Sequence, residues 1–242
     1  MKKLKVAVIF GGRSGEHEVS LVSSTSVIKA MNPGKYEVIE IGITLEGQWL
    51  QGENCLEKFK KKNYEGLSEV RFSTNKKDLG FDIAFPVLHG PYGEDGTIQG
   101  LFEMFQIPYV GCGVLASSTA MDKLVCKAIW SSAGLPVTPY VGFTRKAWTK
   151  DQEKIQNEII EKLGIPCFVK PANMGSSVGI TKVKNKSDLV MAVDEAAKYD
   201  RRILVERAVD ARELECAVFG NDDVVAGPIG EILVGGEFYD YY

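Results

Sequence analysis

Short apolar runs alternate with helical and polar segments through the first part of the chain. The β-branched run 5–10 ends at Gly11-Gly12, as expected of a buried parallel strand that leads into a turn. A helix is predicted to start near Glu18, whereas the polar stretch 58–75 shows no clear periodicity. The remaining predicted elements are strands over 36–44, 81–88 and 108–110 and a helix over 97–106. This alternation predicts an α/β domain with an open parallel sheet over residues 1–116.

The pattern changes after residue 116. The apolar residues Met121, Leu124, Val125 and Ala128 recur at helical spacing, which predicts one helix that ends at Gly134. A small α+β layer is predicted next, and its elements follow in chain order: strand 138–144, helix 150–163, strand 167–170, a glycine-serine loop, strand 180–183, helix 187–198 and strand 202–206. We assign residues 117–206 to a second domain.

A strand pair is predicted near the end of the chain. Leu214, Cys216 and Val218 alternate with polar or small residues, which is typical of a half-buried strand, and 224–234 is its expected hairpin partner. No helical pattern follows to cover this pair before the final FYDYY. We therefore expect 207–242 to be the start of a third, incomplete part of the fold.

Composition and charge exclude several classes of function. The net charge of -3 shows no basic excess, so a nucleic-acid partner is not expected. The 5 cysteines contain no C-x-x-C pair and are odd in number, which indicates reduced thiols in a cytoplasmic protein. The apolar run at the N-terminus is too short for a signal peptide or a membrane span.

Two glycine-rich loops follow predicted strands in the first domain. In GGRSGEHEVS, residues 11–20, a turn opens a helix whose N-terminus suits an anion, although neither dinucleotide nor P-loop spacing is present. An ordinary turn with Glu16 and Glu18 in the first helical turn is equally consistent. The second loop, HGPYGEDGTIQG at 89–100, suggests a ligand beyond the strand ends. A surface turn histidine and helix-capping roles for Glu94 and Asp95 are its alternatives, and no metal-ligand spacing involves either histidine.

The third loop, VKPANMGSSVG at 169–179, combines a lysine with small residues whose backbone N–H groups suit phosphate oxygens. A phosphate-covering flap is the favoured interpretation, and a plain hairpin turn is the alternative. Lys123 and Lys127 lie opposite the apolar helical stripe, so a solvated face explains both. Glu206 and Glu213 likewise suit exposed edge positions.

The three loops in this order, together with MDK at 121–123 and FYDY at 238–241, closely resemble the D-alanine:D-alanine ligases. The resemblance spans the whole chain. It implies a Rossmann-like N-terminal domain of the pre-ATP-grasp kind, followed by an α+β ATP-grasp domain. It also implies D-alanine and ATP as substrates, Mg²⁺ as cofactor, a homodimer formed through the first domain, and a product used in peptidoglycan synthesis.

The resemblance also assigns roles to individual residues. Glu16 would meet the ammonium group of the first D-alanine, His89 would lie near its carboxylate, and Ser176 would bond Glu16 and help to position the second D-alanine. Lys123 and Lys170 would be the phosphate lysines. The other expected ATP-binding residues are a phosphate loop of Gly175, Ser176, Ser177, Val178 and Gly179, an adenine hinge of Glu206, Arg207, Ala208 and Val209, and the ribose carboxylate Glu213.

The chain departs from the family pattern after FYDY. The family continues into a loop with a Lys-Tyr pair and a segment whose Arg, Asp, Glu and Asn bind substrate and magnesium, and none of these follows Tyr242. We therefore expect the Mg²⁺ ligands to lie C-terminal to this chain, and a polypeptide that ends at Tyr242 to lack ligase activity. The alternative is that the printed chain is part of a longer one.

Two other functions remain open at this point. A D-alanine:D-lactate ligase shares most of these motifs, although FYDY favours the dipeptide enzyme. A nucleotide- or amino-acid-binding module without turnover is the candidate from a different class.

Overall fold

The computed structural model describes residues 2–74 and 76–233, which form two compact units. Among the described residues, the first unit comprises 2–135 with 172–176, and the second comprises 136–171 with 177–233. The domain boundaries that we predicted after residues 116 and 206 stay predictions.

The first unit is built on a five-stranded mixed sheet with the strand order β4-β3-β2-β1-β5. Strands β2 and β5 both pair in parallel with β1, whereas β3 and β4 are antiparallel. Its elements in chain order are β1 Leu4–Gly11, α1 His17–Ala30, β2 Tyr36–Ile43, β3 Trp49–Gln51, α2 Cys55–Lys60, β4 Ser68–Glu69, α3 Lys76–Leu79, β5 Ile83–Pro86, α4 Thr97–Met104, α5 Val114–Met121 and α6 Lys123–Ser132.

The burial of β1 on both faces explains why its residues 6–10 are all apolar. Val8 and Phe10 pack into one hydrophobic cluster with Leu21 of α1, while Ala7 and Ile9 pack into a second cluster with Phe102 of α4. A central parallel strand covered on both faces has no solvent side, so its side chains do not alternate. The predicted parallel sheet is confirmed for β2, β1 and β5, and the fold class with it.

Two local predictions for this unit are wrong. The helix predicted across residue 121 is two helices, because the Asp122 carboxylate caps α6 by accepting from the N–H groups of Leu124 and Val125, each at 3.0 Å. The predicted strand 108–110 is a single bridge between Tyr109 and Ala84. Between 45 and 80, β3, β4, α2 and α3 were not predicted, since elements of two to six residues hold too few positions for a period.

The second unit contains a four-stranded antiparallel sheet with the order β6-β9-β7-β8 and a separate hairpin. Helix α9 packs on β7, and Val169, Val193 and Val205 lie in the buried cluster between them. The elements are β6 Tyr140–Thr144, α7 Arg145–Lys150, α8 Gln152–Lys162, β7 Cys167–Pro171, β8 Thr181–Val183, a 3-10 turn Lys186–Asp188, α9 Leu189–Tyr199, β9 Arg202–Arg207, β10 Glu213–Phe219 and β11 Val225–Ile232.

The predicted α+β layer is confirmed, with two corrections. The helix expected over 150–163 starts at Gln152, because Asp151 caps it and separates it from α7. The antiparallel hairpin of β10 and β11 is present, but its side chains are not half-buried: Leu214 is 52% and Val218 is 63% exposed. Val234 and the FYDYY run lie outside the described residues.

Burial lowers the reactivity of most of the cysteine thiols. Cys55, Cys126 and Cys167 are buried, whereas Cys112 and Cys216 are exposed. Burial raises the pKa of the Cys55 thiol to about 12 and that of Cys167 to about 11, so both stay protonated at neutral pH. No helix in the described part of the chain is long and apolar enough to cross a membrane.

The Ser20 hydroxyl joins the ends of two parallel strands. It accepts from the Gly11 N–H at 2.8 Å and donates to the Val87 carbonyl. We expect Ser20→Ala to lower the free energy of unfolding by about 2 kcal/mol, because two buried backbone groups lose their partner. Ser24 is the matched control: it lies on the same helix and is equally buried, but its hydroxyl has no partner among the described residues. Urea unfolding should show Ser24→Ala to be neutral or stabilising, and equal losses in the two variants would contradict this account.

Candidate functional site

The two glycine-rich loops of the first unit follow β1 and β5, which are neighbours in the sheet. Ser14 connects them, since its hydroxyl donates to the His89 carbonyl at 2.7 Å and accepts from the Glu16 N–H at 3.1 Å. Ser14 is 7% exposed. One buried hydroxyl therefore fixes the backbone on both sides of the cleft where the substrate residues were predicted.

Glu16 is a buried carboxylate, 7% exposed. It accepts a hydrogen bond from the Ser176 hydroxyl, and the segment 172–176 belongs to the same compact unit. Two glycines make room for it: a Cβ atom on Gly90 would lie 2.1 Å from Glu16 Oε2, and one on Gly175 would lie 2.9 Å from it. No Lys or Arg forms an ion pair with Glu16 within the described ranges. A buried anion without a cationic partner favours a cationic ligand.

His89 is half-buried, and its Nε2 lies 3.0 Å from the Ser23 hydroxyl of α1. It is therefore held in place, unlike an unconstrained surface turn residue. Asp95 is not the N-cap residue of α4, which is Gly96, so the N-cap alternative is wrong for it; its carboxylate accepts from the N–H groups of Tyr92 and Thr97, each at 2.9 Å. Glu94 accepts from the Gly90 N–H at 2.6 Å, so these acids stabilise the loop itself.

Lys123 does not lie on a solvated face, and that interpretation is wrong. Its ammonium group donates to the carbonyls of Met174, at 2.5 Å, and Ala172, at 3.4 Å. The neighbouring Asp122 accepts from the Asn173 side chain at 3.0 Å. The N-terminus of α6 thus holds the segment that carries Gly175 and Ser176.

In the second unit, Lys170 and Glu206 form an ion pair between the neighbouring strands β7 and β9. The Lys170 ammonium lies 2.5 Å from Glu206 Oε1, with side-chain exposures of 21% and 14%. The ammonium also lies 5.4 Å from the centroid of the Phe168 ring. The exposed-edge interpretation of Glu206 is therefore wrong, and the structure brings together a predicted phosphate lysine and a predicted adenine-binding residue.

The glycine-serine loop has an unusual backbone. Ser176 and Ser177 adopt φ angles of 45° and 60°, which residues other than glycine rarely adopt. Gly179, at φ 70°, lies where a Cβ atom would approach Tyr199 to 2.6 Å and Pro171 to 2.9 Å. Val178 between them is half-buried. The loop conformation therefore depends on glycine at 179.

Two of the predicted hinge residues are held by their own backbone N–H groups. Arg207 N–H donates to Pro139 O at 3.0 Å and Ala208 N–H to Pro166 O at 3.1 Å. The Arg207 guanidinium donates to the Lys162 and Leu163 carbonyls at 3.0 and 3.2 Å, which satisfies the end of α8. Val209 is 58% exposed and its N–H has no backbone acceptor among the described residues. Glu213 begins β10 and is half-buried.

The described part of the chain contains no group of three or more His, Cys, Asp or Glu side chains that could hold a metal ion. Sequence reasoning missed Ser14, Gly90 and Asp122 as residues that shape the site. Only Asp122 carries a local signal, an acidic residue directly before a helical pattern. Ser14 and Gly90 act on partners more than 70 positions away in the chain, so no short-range pattern could have identified them.

Comparisons with known proteins agree with this arrangement. Two family models match, D-ala D-ala ligase N-terminus over residues 5–112 and D-ala D-ala ligase C-terminus over residues 129–242. A D-alanine-D-alanine ligase of Heliobacterium modesticaldum is 47% identical over 254 residues, which cover 100% of this chain and 69% of the relative. One of Acetivibrio thermocellus is 46% identical over 268 residues, with coverages of 99% and 71%.

Solved structures of the same kind share the fold. The VanG D-Ala:D-Ser ligase of Enterococcus faecalis superimposes with a TM-score of 0.86 at 39% identity, covering 100% of this chain and 73% of that one. The D-alanine-D-alanine ligase of Coxiella burnetii gives 0.85 at 31% identity, with coverages of 96% and 71%. The chain therefore belongs to the D-alanine-D-alanine ligase family.

Proposed function

We propose that this member of the family joins two D-alanine molecules in an ATP-dependent reaction and so supplies D-alanyl-D-alanine for peptidoglycan synthesis. The two loops around Glu16 and His89 bind the first D-alanine, and the lysines and the 206–213 segment bind ATP. The buried Glu16 carboxylate, which no cationic side chain neutralises within the described ranges, carries this proposal. The relatives named D-alanine-D-alanine ligase favour this reaction over one with D-lactate.

The chemistry follows from the weakness of a carboxylate as an electrophile. ATP transfers its γ-phosphoryl group to a carboxylate oxygen of the first D-alanine, which yields an acyl phosphate and ADP. The amine of the second D-alanine attacks the acyl carbon, the amide bond forms, the C–O bond to phosphate breaks, and the amine loses a proton. Catalysis then requires charge stabilisation on the transferred phosphoryl group and alignment of the two substrates.

Glu16 orients the first substrate. An ammonium group at its carboxylate gains an ion pair in a site that is already desolvated, which is stronger than the same pair in water. The Ser176 hydroxyl, which donates to Glu16, links the position of that carboxylate to the loop that carries Gly175. His89, steadied by Ser23, supplies a ring nitrogen near the same cleft.

Three kinds of group bind ATP in this proposal. Lys123 and Lys170 provide ammonium groups for the phosphates, and the small residues of 175–179 provide backbone N–H groups. Of the hinge residues, Val209 retains an N–H without a backbone acceptor, which suits a ring nitrogen of adenine, while Glu206 suits the adenine amino group. Glu213 suits the ribose hydroxyls.

Three further features stay predictions. Mg²⁺ accompanies ATP in our proposal. A homodimer forms through the first unit, where Leu115 of α5 is 77% exposed. The cytoplasm is the expected location.

The reaction can be tested with the intact enzyme, ATP and three second substrates: D-alanine, D-lactate and D-serine. Mass spectrometry should detect D-alanyl-D-alanine as the main product, with stoichiometric ADP. A main product from D-lactate or D-serine would overturn the dipeptide assignment.

Glu16→Gln is expected to raise the KM for D-alanine about 100-fold or more, because the ammonium group loses a desolvated partner. Glu18→Gln is the matched control, since Glu18 is two positions away, exposed, and paired with Lys62 at 3.3 Å. It should keep wild-type kinetics. Equal KM values for the Glu16 variant and the wild type would remove Glu16 from the substrate site without affecting the ligase assignment.

A further inference from the structure

A cavity of about 740 Å³ lies in the first unit, beyond the carboxyl ends of β1 and β2 and against α4. Its walls include the apolar side chains of Trp49, Leu101 and Met104 and the ring of Tyr92. In open α/β sheets, ligands bind beyond the carboxyl ends of the strands, at the point where the connections after neighbouring strands run to opposite faces of the sheet. The volume suits a small organic molecule and is far larger than alanine requires.

The cavity adjoins the proposed D-alanine site and shares part of its lining with it. Glu16 and Ser176 do not line the cavity, although Ser14 and His89 do. His89 therefore faces both places, and Ser14 lies beside Glu16 in the same loop. The Ser14 hydroxyl accepts from the Glu16 N–H, so it connects the cavity wall with the backbone that carries the Glu16 carboxylate.

The glycine at position 100 leaves space in the cavity that a larger side chain would fill. It lies inside helix α4 and lines the cavity, and a Cβ atom built on it meets nothing within 4 Å. Glycine is less stable than alanine in a helix interior, and no neighbouring atom requires it here. The residue leaves one side of the helix bare toward the cavity, which allows a flat molecule to approach the backbone.

Charged side chains at the rim of the cavity restrict the class of ligand that it can bind. The Arg13 guanidinium carbon lies 5.4 Å from the centroid of the Tyr92 ring, and Arg13 pairs with no carboxylate in the parts of the chain that the structure describes. It can therefore bind a carboxylate, sulfonate or similar group. Glu46 lines the same cavity and opposes a ligand with several negative charges.

We propose that this cavity binds a small aromatic molecule with a single anionic group, and that its occupancy changes the affinity for D-alanine. The aromatic rings contact Trp49 and the bare face of α4 at Gly100. The anionic group meets Arg13. This proposal goes beyond the ligase reaction and does not depend on which second substrate the enzyme uses.

The test uses 8-anilinonaphthalene-1-sulfonate as the probe with the intact enzyme. Energy transfer from tryptophan to the probe reports binding, and Trp49→Phe identifies the share that comes from the cavity. Gly100→Leu fills the cavity from a position with no close neighbours, so we expect at least tenfold weaker probe binding with no loss of thermal stability. Unchanged probe affinity in Gly100→Leu, or energy transfer that does not need Trp49, would overturn the site.

Arg13→Gln tests the anionic group. It should weaken the sulfonate probe severalfold and leave the neutral N-phenyl-1-naphthylamine unchanged, and equal effects on both probes would overturn the charge assignment. The probe should also change the KM for D-alanine severalfold in wild type but not in Gly100→Leu. If the probe leaves the KM for D-alanine unchanged in wild type, the proposed coupling between the cavity and the D-alanine site is overturned. If Gly100→Leu instead turns a dimer into a monomer in sedimentation experiments, the cavity holds a second copy of the chain.

Discussion

Gly90→Ala is expected to lower kcat/KM for D-alanine by about 100-fold or more, because a misplacement of about 1 Å at a reacting centre has that effect. The added Cβ atom would lie 2.1 Å from Glu16 Oε2, closer than any two such atoms can approach. Glu16 is buried and its N–H is held by Ser14, so the carboxylate must turn away from the Ser176 hydroxyl to relieve the overlap. Steady-state kinetics with D-alanine as the varied substrate measures the effect.

Gly80→Ala is the control for backbone strain. Gly80 has a φ angle of 75°, close to the 69° of Gly90, but a Cβ atom there meets nothing within 4 Å. Both variants place alanine in the left-handed region and should each lose about 1 kcal/mol of stability for that reason. Only Gly90→Ala should lose activity. Similar kinetics in the two variants would show that the Gly90 contact with Glu16 has no role in substrate binding.

Lys170→Met is expected to lower kcat/KM for ATP by about 100- to 1000-fold, the usual effect of removing one preorganised charge that stabilises a transferred group. The variant also removes the ion pair between Lys170 and Glu206, whose side chains are only 21% and 14% exposed. Stability should fall as well, since the loss of one partner of a largely buried ion pair is unfavourable. A stability loss alone could thus imitate a functional one.

A double variant separates the two effects. Lys170→Met with Glu206→Gln removes the carboxylate charge that had faced Lys170, so urea unfolding should show a recovery of stability relative to the single variant. Activity should stay low, because the phosphate-binding ammonium group is still absent. Recovery of both stability and ATP use would mean that Lys170 has only a structural role.

The exposed pair Lys162–Glu158 provides the matched control for that experiment. Its atoms lie 2.7 Å apart, but the side chains are 59% and 39% exposed. Exposed pairs contribute at most about 1 kcal/mol, so Lys162→Met should leave both stability and ATP kinetics nearly unchanged. A kinetic defect in Lys162→Met as large as that in Lys170→Met would show that general loss of positive charge, and not the site, is being measured.

Local sequence patterns were sufficient for most of the scaffold. The unbroken apolar run of β1 predicted a strand buried on both faces, and the α+β layer from 138 to 206 followed from its periodicity. The residue roles came from the family resemblance of the loops. At Asp122, apolar periodicity continued across a cap, which is why the boundary between α5 and α6 was missed.

The sequence by itself determined the longer strands and helices, the positions of the three loops and the family, because each depends on residues that are near neighbours in the chain. The bond from Ser176 to Glu16, 160 positions apart, was already expected from the family resemblance. Only the tertiary structure decided the other contacts of these loops: Ser14 joins two loops through one hydroxyl, and Gly90 has to be glycine because Glu16 occupies the adjoining space. Such contacts are set by the packing of whole elements, and neighbouring residues carry no trace of them.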